Sequence, residues 1–186
     1  MGSSERQAVF LDRDGVLNVA MVRNGRPYPP ASLAELKFCP GVEEACAQLK
    51  RAGLLLVMVT NQPDIARGTA TIDEVNEINR VIQTRLELDD VRVCPHDDSD
   101  CCDCRKPKPG LLITAARDLG IDLQSSFMVG DRWRDVAAGH AAGCRTVFID
   151  HGYAERRPEN PNLVATSLAA ATPDIISAAI VRKGVS

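Results

Sequence analysis

The chain has 186 residues, a formal net charge of −3 and seven cysteines. That length suits one domain, residues 1–186, with a core large enough to fold without disulfide staples, and the mild negative charge speaks against general nucleic-acid or membrane-surface binding. No apolar stretch is long enough to span a bilayer and no secretory signal pattern precedes the first apolar run, so a reducing cytoplasm without a membrane partner is the expected setting. Residues 1–6 read as a disordered leader. No exposed apolar seam stands out, which makes a monomer the default.

In chain order, Ala8-Val9-Phe10-Leu11 is a short apolar run leading into Asp12-Arg13-Asp14-Gly15. A buried strand there would put both carboxylates at its C-terminal end, where open α/β sheets place their ligands; an acidic turn is the plainer alternative. Residues 18–39 form the longest irregular stretch, with Asn24-Gly25 as a turn signal and Pro27, Pro29 and Pro30 discouraging helix. Val42, Ala45, Cys46 and Leu49 then share a helical face. Residues 54–59 are continuously apolar, which suits a strand covered on both sides. A second helical face carries Val75, Ile78, Ile82 and Leu86, and a third carries Leu111, Leu112, Ala115, Ala116 and Leu119. Val91-Arg92-Val93, Phe127-Met128-Val129 and residues 146–149 are shorter strand candidates. Ile175, Ile176, Ala179 and Ile180 mark a last helix behind Pro173. This alternation predicts an α/β fold: a single Rossmann-like, doubly wound, mainly parallel sheet with helices on both faces. There is no internal repeat, low-complexity tract or domain linker.

Polar residues gather at the predicted strand ends. Thr60-Asn61 closes the second strand, Asp131 follows the fourth, and Lys106 precedes a helix beginning near Pro109. In a doubly wound sheet these ends share one edge. The set suits phosphoryl transfer: a carboxylate is already ionised at neutral pH, and a divalent cation removes its repulsion from a phosphate dianion. Asp12 and Asp131 would offer hard oxygen ligands to Mg²⁺. Lys106 would stabilise charge on the transferring group, with hydrogen bonds from Thr60 and Asn61. Each has a plainer role: Thr60 as a strand-end turn, Lys106 as a solvated lysine, Asp131 as a helix cap before Arg132-Trp133-Arg134-Asp135.

Phe10-Leu11-Asp12-Arg13-Asp14-Gly15, Thr60-Asn61-Gln62, Arg105-Lys106-Pro107 and Gly130-Asp131-Arg132 together resemble the four motifs of the haloacid dehalogenase superfamily of phosphatases. The resemblance spans nearly the whole chain. It implies that Asp12 forms an aspartyl-phosphate, that Asp14 is the general acid and base, and that the Asp14 backbone carbonyl is a further Mg²⁺ ligand beside Asp12 and Asp131. Roughly forty-five residues separate each of the first three motifs, too few for a separate cap domain, so the site should be open.

Four cysteines cluster in one loop, while Cys39, Cys46 and Cys144 read as core thiols. Cys94 and His96 followed by Cys102 and Cys104 supply three thiolates and one imidazole, the donor set of a closed structural zinc site; core thiols or a disulfide are the alternatives. Cys101 could replace a neighbour, although Cys102 and Cys104 fit the resembled C-x-C pattern. Such a zinc-bound loop would hold Arg105 and Lys106 rigid rather than catalyse.

A zinc loop ahead of Arg-Lys-Pro resembles two groups within the superfamily, the heptose 1,7-bisphosphate phosphatases and the histidinol-phosphate phosphatases. Ile65-Ala66-Arg67-Gly68 and Lys106-Pro107-Lys108-Pro109-Gly110 are closer to the heptose group. The short spacing from His96 to Cys102 is closer to the histidinol group, and Pro63-Asp64 departs from the heptose pattern. Arg67, Arg105 and Lys108 could bind a second phosphate or sugar hydroxyls. Asp97, Asp98 and Asp100 could instead wall off a cationic substrate, or be solvated loop charges. Arg23, Arg26 and Tyr28 are further candidate sugar contacts, with an ordinary solvated hairpin as the alternative. The leading expectation is Mg²⁺-dependent removal of the C7 phosphate from heptose 1,7-bisphosphate, a phosphorylated sugar. Histidinol-phosphate hydrolysis is the alternative, ahead of a phosphotransferase or mutase and of a non-catalytic zinc-stabilised binding module.

Overall fold

The computed structural model describes residues 6–183. Residues 1–5 of the expected leader lie outside the described residues. Arg6 is hydrogen-bonded on both sides, its N–H to Gly120 O at 3.1 Å and its carbonyl accepting from Asp122 N at 2.9 Å.

Six strands form one sheet: β1 (Ala8–Leu11), β4 (Leu55–Asn61), β5 (Asp90–Cys94), β6 (Phe127–Gly130), β7 (Arg145–Ile149) and β8 (Leu163–Ala165). Their spatial order is β5-β4-β1-β6-β7-β8, with every pairing parallel. The order reverses direction at β1, so a crevice opens at the C-terminal end of that strand. β1 is buried throughout because helices cover both faces. Val9 and Leu11 point toward α1 (Val42–Arg51), α2 (Ile72–Leu86) and α5 (Leu168–Lys183). Ala8 and Phe10 point toward α3 (Gly110–Leu119) and α4 (Trp133–Ala142). The α/β expectation therefore holds. Each fully buried Leu, Ile, Val or Phe contributes roughly 1.5–3 kcal/mol.

Four elements differ from the sequence reading. A hairpin of β2 (Met21–Arg23) and β3 (Arg26–Tyr28) stands within residues 18–39, turned by Asn24 and Gly25 at positive φ. β8 is a three-residue edge strand too short for a period to register. α4 is built largely from small residues and shows little apolar periodicity. α5 starts at Leu168, before Pro173 rather than behind it. The Ser167 hydroxyl accepts from Ala170 N at 3.1 Å and starts that helix, and burial of Leu168, Ala171 and Ile175 outweighs the one backbone bond that Pro173 cannot donate. The side chain of Ile180 lies outside the described residues. Among the described residues the β2–β3 hairpin borders the crevice and no further domain is inserted over it.

Candidate active site

The strand ends meet as the topology requires. Asp12 beyond β1, Thr60 and Asn61 at the end of β4, Asp131 beyond β6, and Lys106 line one cavity of about 310 Å³. Lys106 is 1% exposed and its ammonium donates to Asp12 Oδ1 at 2.8 Å and to Val59 O at 2.8 Å. It also contacts Asp135 Oδ1 at 2.6 Å. Burial alone would lower this lysine's pKa, but Asp12 and Asp135 outweigh it and hold the ammonium charged. The reading of Lys106 as a solvated lysine is excluded.

Asp135 was not singled out by sequence. It lies one helical turn past Asp131, where its Oδ2 accepts from Arg132 N at 3.0 Å and caps α4. Asp131 is thus relieved of capping, and both its carboxylate oxygens are buried with no well-formed hydrogen bond, the neighbouring Tyr153 hydroxyl easing their charge only in part. Asp12, Asp131 and Asp135 each offer an oxygen within 4.8 Å of the others. Burial and the neighbouring carboxylates push Asp12 up to about 6 against the pull of Lys106, and push Asp131 well above the ordinary carboxylate range. Three carboxylates facing one ammonium leave two negative charges, which one divalent cation would balance. The hard oxygen donors and the orphaned Asp131 carboxylate both fit Mg²⁺. The aspartate carboxyls gathered here are those of 12, 131 and 135; the Asp14 carboxylate lines the same cavity outside that set.

This crowding has a thermodynamic signature. A carboxyl whose folded pKa is raised binds protons more tightly folded than unfolded, so its contribution to stability falls as pH rises from about 4 through the folded value. In metal-free protein, Asp131→Asn should therefore raise stability at pH 7, by less at pH 5, and abolish the stabilisation that Mg²⁺ gives the wild type. Thermal melts with and without Mg²⁺ at pH 5 and pH 7 check both effects.

The Asp14 carboxylate accepts from Asn18 Nδ2 at 3.0 Å, Gln62 Nε2 at 3.1 Å and the Arg13 guanidinium at 3.0 Å. Gly15, at φ 82°, lets the chain leave sharply, and a Cβ there would lie 1.9 Å from Asp131 Oδ2. Glycine is required here by space as well as by conformation. Thr60 is buried, and its hydroxyl accepts from Gln62 Nε2 at 2.9 Å. Asn61 has a structural role as well. Its amide accepts from Lys106 N at 3.1 Å and donates one N–H to Lys106 O at 3.0 Å, which fixes the Lys106 backbone, while the residue also lines the cavity.

Arginines dominate the outer cavity. Arg26, Arg67, Arg105, Arg132 and Arg134 line it, against Asp64, Asp98 and Glu155. Sequence reasoning missed Arg132, Arg134 and Glu155. Arg67 grips Asp97 through two bonds of 2.8 and 2.9 Å, and hydrogen bonding from that guanidinium pushes Asp97 down to about 2. Asp98 is taken by Arg105 at 2.7 Å and Arg134 at 3.1 Å. Asp100 does not line the cavity, and Lys108 is committed to the carbonyls of Cys101 and Cys102. The acidic residues considered as a wall for a cation are therefore ion-paired or remote. Tyr28 lines the cavity with Arg26, whereas Arg23 does not and stacks on the Tyr28 ring at 5.8 Å.

Cys94, His96, Cys102 and Cys104 converge beside Arg105. Their sulfur–sulfur separations are 3.1, 3.5 and 3.7 Å, and His96 Nδ1 lies 3.3 and 3.6 Å from two of the sulfurs. A tetrahedron of thiolates around zinc has edges of about 3.8 Å, so the four donors already fit one ion. Cys101 is exposed and outside the cluster. Of the scattered thiols, Cys46 and Cys144 are buried in the core and Cys39 is half-buried.

A parallel sheet with this strand order, carrying two aspartates after the central strand and a threonine, lysine and aspartate around them, defines a phosphatase of the haloacid dehalogenase class. Residues 103–171 match the HAD-hydrolase-like family model. The chain is 39% identical over 178 residues to the D-glycero-beta-D-manno-heptose-1,7-bisphosphate 7-phosphatase of Pasteurella multocida, covering 88% of this chain and 94% of that protein. It is 40% identical to the Vibrio cholerae enzyme of the same name, covering 77% and 81%. The crystal structure of D,D-heptose 1,7-bisphosphate phosphatase from B. bronchiseptica, complexed with magnesium and phosphate, superposes with a TM-score of 0.75 at 30% identity, covering 92% of this chain and 98% of that one. The chain belongs to the heptose-1,7-bisphosphate 7-phosphatase family, and with it to the hydrolases of phosphate esters.

Proposed function

We propose that the protein is a Mg²⁺-dependent phosphatase that removes the C7 phosphate of D-glycero-D-manno-heptose 1,7-bisphosphate through an aspartyl-phosphate on Asp12. The observation that carries the substrate choice is the arginine-rich outer cavity, where Asp98 and the nearby Asp97 are already paired. A substrate with a second dianion suits that surface; the cationic amine and imidazole of histidinol phosphate do not.

Asp12 Oδ2 attacks phosphorus while Lys106 holds Oδ1 and faces the transferring oxygens. Asp14 gives a proton to the departing sugar alkoxide. It then takes one from the water that attacks phosphorus and returns the Asp12 carboxylate. Thr60 donates to the phosphoryl group, and Arg67 and Arg105 face the remote part of the sugar phosphate. Mg²⁺, held by Asp12, Asp131 and the Asp14 carbonyl, would offset the charge repulsion between carboxylate and phosphate. Asp135 serves this set indirectly, by fixing Lys106 and capping α4. Zn²⁺ on Cys94, His96, Cys102 and Cys104 would hold the loop that carries Arg105. Cysteines kept reduced for zinc would suit work in a reducing cytoplasm.

Comparison of kcat/KM on heptose 1,7-bisphosphate and on histidinol phosphate at equal Mg²⁺ tests the reading. A preference for the heptose ester of at least about tenfold, roughly 1.4 kcal/mol of differential transition-state binding, is expected. A reversed preference would hand the site to the histidinol reading.

A further inference from the structure

Arg13 stands between the two active-site aspartates in sequence, yet it is 1% exposed and does not line the active-site cavity. A buried guanidinium needs partners, because desolvating it without them is strongly unfavourable. Its partners are few and specific. Nε lies 3.2 Å from Asp14 Oδ2 and 3.3 Å from Oδ1, Nη2 donates to Oδ2 at 3.0 Å, and Nη1 donates to Asn79 Oδ1 at 3.0 Å. Asn79 is a buried residue of α2, a helix started by a capping box at Thr71 and Glu74. The guanidinium plane is therefore pinned at one end to a rigid helix and presents its other edge to the Asp14 carboxylate.

The remaining contacts complete a cage. Asn18, 0% exposed, donates to Asp14 Oδ1, and Gln62, 2% exposed, bridges Asp14 Oδ2 and the Thr60 hydroxyl. Each hydrogen-bond partner of the Asp14 carboxylate is a donor on a buried side chain, while the carboxylate keeps an edge on the cavity. Side chains held this way place a reacting group far more narrowly than a solvated aspartate could be placed.

We infer that Arg13, anchored by Asn79, is a positioning residue that orients the Asp14 carboxylate for both proton transfers. This rests on the proposed role of Asp14 and assigns Arg13 no contact with substrate. In the second half-reaction the water oxygen bonds to phosphorus and the Asp12 oxygen–phosphorus bond breaks, its electron pair returning to Asp12, while the water proton passes to Asp14. That step needs an oriented base whatever the leaving group. Formation of the aspartyl-phosphate from p-nitrophenyl phosphate does not need the acid, because nitrophenolate leaves unaided.

Pre-steady-state kinetics with p-nitrophenyl phosphate separates orientation from mere structural support. Arg13→Met should release one equivalent of nitrophenolate per folded site in a rapid burst, followed by turnover at least about tenfold slower than wild type, with Arg13→Lys partly restoring it. Asn79→Ala, which leaves Arg13 in place, should slow turnover in the same direction by a smaller factor and decides the matter if Arg13→Met does not fold. Steady-state turnover within twofold of wild type in a folded Arg13→Met, or in Asn79→Ala if that variant must decide, would overturn the inference. So would burst and turnover falling together, the mark of general damage. Asp14→Asn is the separate control: wild-type turnover there would remove the proton-shuttle reading itself, independently of Arg13.

Discussion

Asp12→Asn is expected to lower turnover by at least about three orders of magnitude while the protein stays folded. The amide nitrogen has no free electron pair with which to attack phosphorus, so no aspartyl-phosphate can form. The same substitution leaves Lys106 an acceptor, since an asparagine oxygen can still receive the bond that Asp12 Oδ1 receives at 2.8 Å. It also takes one charge out of a cluster in which burial and Asp135 have pushed Asp12 up to about 6. Stability should hold or rise in the absence of metal. Steady-state kinetics beside a thermal melt separates the two effects, and a folded variant with wild-type turnover would place the nucleophile elsewhere.

Cys104→Ser should have the largest effect on stability, several kcal/mol, together with loss of zinc. Cys104 makes the tightest contacts of the cluster, 3.1 Å to Cys94 and 3.3 Å to His96. The loop it closes has little apolar packing of its own and carries four aspartates. Its order bears on the site because Arg105 donates to His96 O at 3.2 Å, and Lys106 follows in the chain. Metal analysis should find about one zinc per wild-type chain and a substoichiometric amount in the variant. Its melt should shift down, with kcat/KM falling more steeply than any change in Mg²⁺ dependence. A zinc-free protein with unchanged melt and kinetics would contradict the assignment.

The motifs legible in the sequence were those in which a short apolar run ends abruptly in chemistry-bearing residues. Phe10-Leu11 before Asp12, and Val59 before Thr60, place their polar successors at the C-terminal edge of buried strands, and the topology does the rest. Asp135 escaped because its neighbourhood lacks an apolar period: α4 packs through alanines and Gly139, which presses within contact of Met128 and Thr146. The four-residue interval from Asp131 to Asp135 was the available signal, since it brings both carboxylates to one side of a helix start. Arg132, Arg134 and Glu155 became visible only through pairs such as Arg132 with Glu155 at 2.6 Å, which join segments distant in sequence. Pro173 misled because its local rule was outvoted by the buried face on both sides of it. Likewise, nothing in Asn61 itself discloses that its amide also braces the Lys106 backbone.

The most direct measurement is ³¹P NMR of D-glycero-D-manno-heptose 1,7-bisphosphate incubated with the protein and Mg²⁺. The account predicts that the C7 phosphate resonance disappears into inorganic phosphate while the C1 resonance persists, and that both remain when Mg²⁺ is withheld or Asp12→Asn is used. Loss of the C1 phosphate first, or no phosphate release with Mg²⁺ present, would contradict it.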